Sequence, residues 1–222
     1  TPVSSAGAYR SGRAPPELIR RLGDRLPTAV GLELDVLPVR DYFRFQGFFP
    51  GVQFTDASSI LGEARKVKSF FEIELMRKAG EIGMKVYQEA RAILKEGMTE
   101  IEFGGCLEAA AKKYGHEGLL RVRSLNYEAY TWRILSGLTG GIVSQSDSPM
   151  GGLGLSPAFP VGASLKVMKA GEPILVDFGT CFHGYQADET RIFSIGKMEQ
   201  KFVDAYKACR EIQDAVLEET RP

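Results

Sequence analysis

The stretch Pro173-Ile-Leu-Val-Asp177-Phe-Gly-Thr-Cys-Phe-His183-Gly184-Tyr-Gln-Ala-Asp188-Glu-Thr190-Arg-Ile-Phe-Ser-Ile-Gly196 decides how the rest of the chain is read. Two runs rich in β-branched and aromatic residues flank a short polar middle at His183-Gly184, which is the pattern of a β-hairpin. A turn centred on Phe182-His183 places Asp177 directly opposite Asp188 on one sheet face. Cβ atoms so placed are about 4.5–5.5 Å apart, and like charges there repel. Two arrangements offset that repulsion: a hard divalent cation held by both carboxylates, or a proton shared between them. A pair on a wet face in a slipped register would need neither. Ile174, Leu175, Val176 and Phe178 form a nearly continuous apolar run, as in a strand covered on both faces. A buried carboxylate there needs a partner, and the cationic residue near in sequence is Arg191.

Lys plus Arg equal Asp plus Glu at 28 each over 222 residues. No charge excess points to nucleic acid or an anionic membrane surface, and no basic run is interleaved with aromatics. No apolar stretch reaches the roughly 18 residues that would span a bilayer, and the N-terminus lacks the layout of a secretory signal. The length fits one or two domains. Cys106, Cys181 and Cys209 are scattered without a CxxC pair, as expected of reduced thiols in a cytoplasmic protein. With His116 and His183 the sole histidines, a zinc site rich in His is excluded within the chain. The chain opens at Thr1 and stops at Pro222 straight after a helical pattern, so it reads as part of a longer protein. A chain ending there would expose a sheet edge and an apolar face, and would self-associate.

Thr1 to Pro16 reads as irregular, and Glu17 to Leu26 carries a weak helical pattern. Ala29 to Leu34 reads as a strand, Pro38 to Phe49 as a helix opened by proline, Val52 to Thr55 as a second strand. Asp56-Ala-Ser-Ser59 starts a short helix. The alternation is α/β in character but too short for a complete sheet domain. Ser69-Phe-Phe-Glu72 is a capping box, and behind it Met76, Ala79, Ile82, Val86, Ala90 and Ile93 recur at helical spacing as far as Gly97. Thr99-Glu-Ile-Glu102 repeats the box and opens a helix ending near Gly115. Both apolar stripes read as core faces packed on a sheet. Leu119 to Ser124 alternates as a strand would. Trp132 to Val143 is another candidate strand, broken by Gly137, Gly140 and Gly141. Ser144 to Ser164 is a glycine-rich loop of a length that is usually functional or mobile. Its Gly151-Gly-Leu-Gly154 lacks the frame of a phosphate loop, which discards a nucleotide site. Met198 to Glu219 reads as a helix with Phe202, Tyr206, Cys209, Ile212 and Val216 on one face.

Val176-Asp177-Phe-Gly, Gly184-Tyr185, Asp188-x-Thr190-Arg191-x-Phe193 and Gly196 together resemble the metal-binding hairpin of the pita-bread peptidases. These are the methionine aminopeptidases, Xaa-Pro aminopeptidases and prolidases, with creatinase as a metal-free relative. Leu61 to Ala79, with Lys68-Ser-x-x-Glu72 at its centre, is similar to the junction between the N-terminal and catalytic domains of prolidase-like proteins. Gly31-Leu-Glu33 and Phe54-Thr-Asp56-Ala-Ser58 resemble the later half of that N-terminal domain. The resemblance covers nearly the whole chain. It implies an α/β (α+β) architecture: residues 1–64 a partial creatinase/prolidase-like domain, and residues 65–222 the first half of a pita-bread catalytic domain.

By that resemblance, Asp177 binds one of two adjacent divalent cations and Asp188 bridges both. Manganese or cobalt suits such oxygen-rich ligation, with zinc a further option. Thr190 is assigned to orienting the bridging carboxylate. The implied activity is metal-dependent hydrolysis of an N-terminal peptide bond, of the Xaa-Pro dipeptidase or aminopeptidase type. Its substrate would be a peptide with proline at the second position, its assembly a homodimer, with neither nucleic acid nor membrane as partner. The family's remaining ligands, one His and two Glu, come from a later half that these residues do not reach. The 222 residues alone are therefore expected to bind metal weakly or not at all, and to cleave nothing. No catalytic residue is assigned, because the loop Ser146 to Pro160 lacks the histidine the family presents there. Asp147, Ser148 and Ser156 are candidates by location, and neither His116 nor His183 is given a catalytic role. One rival is a creatinase-like, metal-free hydrolase of a C–N bond, against which the intact aspartate pair argues. The other is a non-catalytic pita-bread binding protein, which the missing histidine favours.

Overall fold

The computed structural model describes residues 27–123, 132–143 and 150–221. The expected irregular stretch 1–16 and helix 17–26 lie outside the described residues, as do Ser124, Asp147 and Ser148. Among the described residues, 27–68 with Arg123 form one compact unit, and 69–122, 132–143 and 150–221 another.

In the first unit β1 (Ala29–Leu32) and β2 (Gln53–Asp56) pair in parallel, and α1 (Val39–Phe48) lies between them in the chain. Parallel neighbours need such a crossover connection. Pro38 stands at the N-cap of α1, and α2 (Ser58–Lys66) follows β2. Asp56 closes the start of α2 by accepting from the Ser58 N–H at 2.9 Å and from the Ser58 hydroxyl. Arg123 grips Asp35 through two N–H groups at 2.7 Å each and also reaches Glu33. That fork holds the Asp35 carboxyl below the usual carboxylate range.

In the second unit α3 (Phe70–Ile93) and α4 (Glu100–Lys113) both begin on the boxes read from the sequence. The Ser69 N–H donates to Glu72 at 2.7 Å and the Thr99 N–H to Glu102 at 2.8 Å. Helix α3 stops at Ile93, short of Gly97, because Leu94 is already extended and Gly97 turns the connection at φ +90°. The sheet runs β3 (Trp132–Ser136), β4 (Ile174–Phe182), β5 (Tyr185–Phe193), antiparallel throughout. Val86, Tyr87 and Ala90 of α3 and Phe103, Leu107 and Ala111 of α4 pack against Ile134, Ile174, Val176 and Phe178. Each large apolar side chain so buried contributes about 1.5–3 kcal/mol, so one sheet face is committed to the helices. Side chains alternate along a strand. Leu175, Asp177 and Gly179 therefore lie on the opposite face.

Two expected strands differ. Residues 119–123 carry no strand: the segment crosses the sheet face, with Leu120 lying against Gly179 and the Arg121 carbonyl accepting from the Gln186 side chain at 3.0 Å. Its backbone partners are thus side chains rather than a ladder. The strand expected over Trp132–Val143 ends at Ser136, and Gly137–Gly141 is a 3-10 turn entered at φ +52° by Gly137. Finally, α5 (Gln200–Glu219) carries its apolar stripe uncovered among the described residues, with Ile212 65 % and Val216 58 % exposed. The outer edge of β5 is likewise unpaired among the described residues.

Candidate metal centre

The hairpin turn sets the positions of both aspartates. His183 and Gly184 have φ of +49° and +78°, as a two-residue I′ turn requires at both central positions. A turn on Phe182-His183 would force a bulky phenylalanine into that region, where it is a rare outlier. The turn therefore sits one residue later than the sequence reading, and Asp177 pairs with Thr190 while Asp188 pairs with Gly179. The direct opposition of the two aspartates is corrected. They share one face as diagonal neighbours, a relation that separates Cα atoms by about 7–8 Å and Cβ atoms by somewhat less.

A clamp that the sequence reading missed holds the tip. Glu117, just beyond α4, accepts from the His183 N–H at 2.9 Å, the Gly184 N–H at 3.1 Å and the Cys181 thiol at 3.3 Å. Its own N–H donates to the Cys181 carbonyl at 3.1 Å, and His116 Nδ1 accepts from the Cys181 N–H at 2.9 Å. Burial lowers the His116 pKa, and a ring accepting at Nδ1 carries its proton on Nε2, so His116 serves as a structural acceptor. The Cys181 thiol and the two turn N–H groups hold the Glu117 carboxyl below its usual range against a smaller opposing effect of burial. A depressed acid stabilises the fold above its unfolded pKa, and that support is lost as pH falls through the folded value. Protection of the His183 and Gly184 amides from hydrogen exchange should therefore hold from neutrality down to about pH 5 and drop below about pH 4. Glu117→Gln should lose most of it at every pH; protection that ignores both changes would show that the clamp does not hold the turn.

Thr190 donates its hydroxyl to Asp177 Oδ1 at 2.7 Å. It thus orients Asp177, not the Asp188 carboxylate to which the sequence reading tied it. On the other side of Asp177 the cross-strand partner is Arg133 of β3. Arg191, the cation nearest in sequence, faces the helices instead, 5.0 Å above the Tyr87 ring and 2.9 Å from Glu189. Gly179, across from Asp188, leaves room for Leu120: a Cβ there would come within 2.4 Å of its Cδ1. On the row beyond Asp177, Leu135 supports the 150–162 loop, and a Cβ on Gly152 would lie 2.4 Å from Leu135 Cδ2. The carboxylates thus lie on a floor walled by Leu120 at one end and the glycine loop at the other. Asp188, exposed on its open side, has its pKa raised by burial first and then by the Asp177 charge, with Arg133 pulling it back. Asp188 and Thr190 also open onto a groove of about 1040 Å³ between β5 and α5.

Two carboxylates on one face, one fixed by a hydroxyl, suit a hard divalent cation in the chemistry of the donors. In number they fall short of a full ligand set, and among the described residues no cluster of three or more His, Cys, Asp or Glu forms. Neither His183, at the exposed tip, nor His116 approaches as a ligand. Ser156 is exposed and bridges to Phe159 within its own loop.

The model of metallopeptidase family M24 matches residues 74–222, the whole of the hairpin included. The chain belongs to that family. An Xaa-Pro dipeptidase of Lactobacillus helveticus is 25 % identical over 193 residues, covering 86 % of this chain and 46 % of that protein. Among solved structures, the X-Pro aminopeptidase of Thermotoga maritima superposes with a TM-score of 0.75 at 25 % identity, over 95 % of this chain and 53 % of that one. The prolidase of Pyrococcus horikoshii gives 0.69 at 23 % identity, over 93 % of this chain and 52 % of that one. The fold is the pita-bread fold of prolidases and aminopeptidases. The chain spans less than half the length of the curated relatives it matches.

Proposed function

We propose that this chain is the first half of the catalytic domain, with the end of a preceding domain over residues 1–64, of a metal-dependent peptidase of the Xaa-Pro dipeptidase or aminopeptidase type. The observation that carries the reading is the carboxylate face of the hairpin, with Asp177 and Asp188 on one side and Thr190 bonded to Asp177 at 2.7 Å. Asp177 and Asp188 would hold two divalent ions, manganese or cobalt by the hardness of the oxygen donors, with zinc possible. When bound, such ions supply a more acidic water and a Lewis acid for the scissile carbonyl. The chain's own residues set the stage: Thr190 fixes one carboxylate rotamer, Glu117 fixes the turn, and Leu120 and the 150–162 loop narrow access of water to the floor. The substrate would be a peptide with proline second, by likeness to relatives so named. A homodimer and a cytoplasmic setting complete the reading, the latter supported by three unpaired cysteines.

A non-catalytic binding protein is the second reading, favoured by the absence of histidine between Ser146 and Pro160. One assay separates them. The full-length protein with manganese should release the first residue of Xaa-Pro peptides, lose that activity on chelation and regain it when metal returns. Cleavage indifferent to chelation would sink the metal reading; no cleavage of any proline peptide would leave the binding protein.

A further inference from the structure

We propose that Tyr87 is a positioning residue of the carboxylate face: from the buried side of the sheet its hydroxyl holds the two peptide units that carry Asp177 and Thr190, and so keeps the Thr190 hydroxyl on Asp177. The metal affinity of the face then depends on a group that lies on the opposite side of the sheet from both carboxylates. The inference rests on reading that pair as the metal site.

Tyr87 stands on α3 and is 6 % exposed. Its ring packs against Phe178 and Phe193, with centroids 4.7 and 6.1 Å away. Gly83, one turn earlier on the same helix face, permits the close seat of α3 under β5: a Cβ there would lie 3.2 Å from Glu189 Oε1. The Tyr87 hydroxyl donates to the Glu189 carbonyl at 2.6 Å, with the Val176 carbonyl at 3.4 Å as a second acceptor. A phenol has one proton to give, so the shorter bond is the stronger. A peptide unit is planar from one Cα to the next. The Val176 carbonyl therefore shares its plane with the Cα of Asp177, and the Glu189 carbonyl with the Cα of Thr190. Asp177 and Thr190 are direct partners across β4 and β5, and on the open face the Thr190 hydroxyl reaches Asp177 Oδ1 at 2.7 Å. The same pair is thus tied from both sides of the sheet. Arg191 completes the hold: its guanidinium lies 5.0 Å over the Tyr87 ring, donates to the Thr190 carbonyl at 2.8 Å and pairs with Glu189 at 2.9 Å. Both peptide units that meet at Thr190 are fixed in this way. Without the Tyr87 hydroxyl the first of them is free to tilt, and a hydrogen bond weakens steeply as its angle departs from linear.

The test is a double-mutant cycle in the full-length protein between Tyr87→Phe, which removes the hydroxyl and keeps the ring, and Thr190→Val, with manganese affinity read by electron paramagnetic resonance. Tyr87→Phe should weaken manganese binding about tenfold, the lower end of the 10–100-fold range for groups that orient a ligand. In the Thr190→Val background, where the bond to Asp177 is already gone, the same change should cost less than about twofold. A tyrosine that only packs the core would not produce this dependence, so an equal or larger loss in that background overturns the inference. Unchanged or tighter binding in Tyr87→Phe overturns it too and leaves the metal reading standing. If the parent binds no manganese, the metal reading fails, and the same cycle read as thermal midpoints decides the positioning role. The two substitutions together should then lower the midpoint by less than the sum of their separate effects, and additive shifts overturn the role.

Discussion

Replacing Glu100 by alanine is expected to destabilise the second unit by roughly 4–5 kcal/mol, at the extreme of single substitutions. Glu100 is fully buried in the first turn of α4, where the helix dipole favours an acid. Five donors converge on its carboxylate. Oε1 accepts from the Ser136 N–H and hydroxyl, both at 2.8 Å, and from the Thr139 hydroxyl. Oε2 accepts from the Ser164 N–H at 3.0 Å and its hydroxyl at 2.7 Å. The serine hydroxyls cannot turn elsewhere cheaply, because each already accepts from Lys166, Ser136 from Nζ at 2.7 Å and Ser164 from the backbone N–H at 3.1 Å. Alanine would leave the Ser164 N–H and the Ser136 and Ser164 hydroxyls buried without their acceptor, while the Ser136 N–H keeps Thr139 Oγ1 at 2.8 Å, and each such orphan costs about 1–3 kcal/mol. Glutamine is the informative second variant. Whichever way its amide is turned, its NH₂ faces one of those two fixed N–H groups, so it should recover only part of the loss, about half. Urea unfolding followed by far-ultraviolet circular dichroism measures both. A loss below about 1 kcal/mol for alanine would mean that water replaces the carboxylate without difficulty.

That carboxylate was invisible in the sequence, and the reason is instructive. An acid in a helical first turn is ordinary, and Glu100 sits beside Glu102, whose capping role the sequence did announce. Which of the two turns inward depends on where β3 and the 164–166 segment pass, and no local pattern encodes that. The same divide runs through the site. Capping boxes, helical stripes and the hairpin are local, and they were legible because short-range periodicity and turn chemistry specify them. The register went wrong by one turn position because the symmetric apolar flanks permit both alignments. The deciding signal was present in His183-Gly184, a pair that tolerates positive φ far better than Phe182-His183 does. Leu119–Ser124 alternates in composition, yet alternation also arises when a segment lies across a sheet and buries every second residue. Arg133 could not be placed beside Asp177 without knowing that β3 pairs with β4, a contact spanning 44 positions in the register. Long-range pairing, not chemistry, was the missing information.

Substituting Asp188 by asparagine should lower the manganese affinity of the full-length protein more than about 100-fold, beyond the 10–100-fold typical of losing a group that only orients a ligand. Asparagine preserves shape and removes the charge, so the pairing of this strand position with Gly179 stays as it is. Asp177→Asn should match it. Thr190→Val should fall in the 10–100-fold range, because it frees the Asp177 carboxylate from the 2.7 Å bond without removing a donor. The stability of the metal-free protein should move in another order, and this separates a binding role from a folding one. Asp188 is raised in pKa by burial and by the Asp177 charge, so its neutral replacement removes a repulsion and should leave the thermal midpoint level or slightly higher. Thr190→Val should lower the midpoint slightly, since the bond it breaks is exposed and such bonds contribute about 1 kcal/mol or less. Calorimetric titration and melting curves on the same samples give both orders. If Asp188→Asn binds manganese like the parent, the diagonal pair is not the metal site.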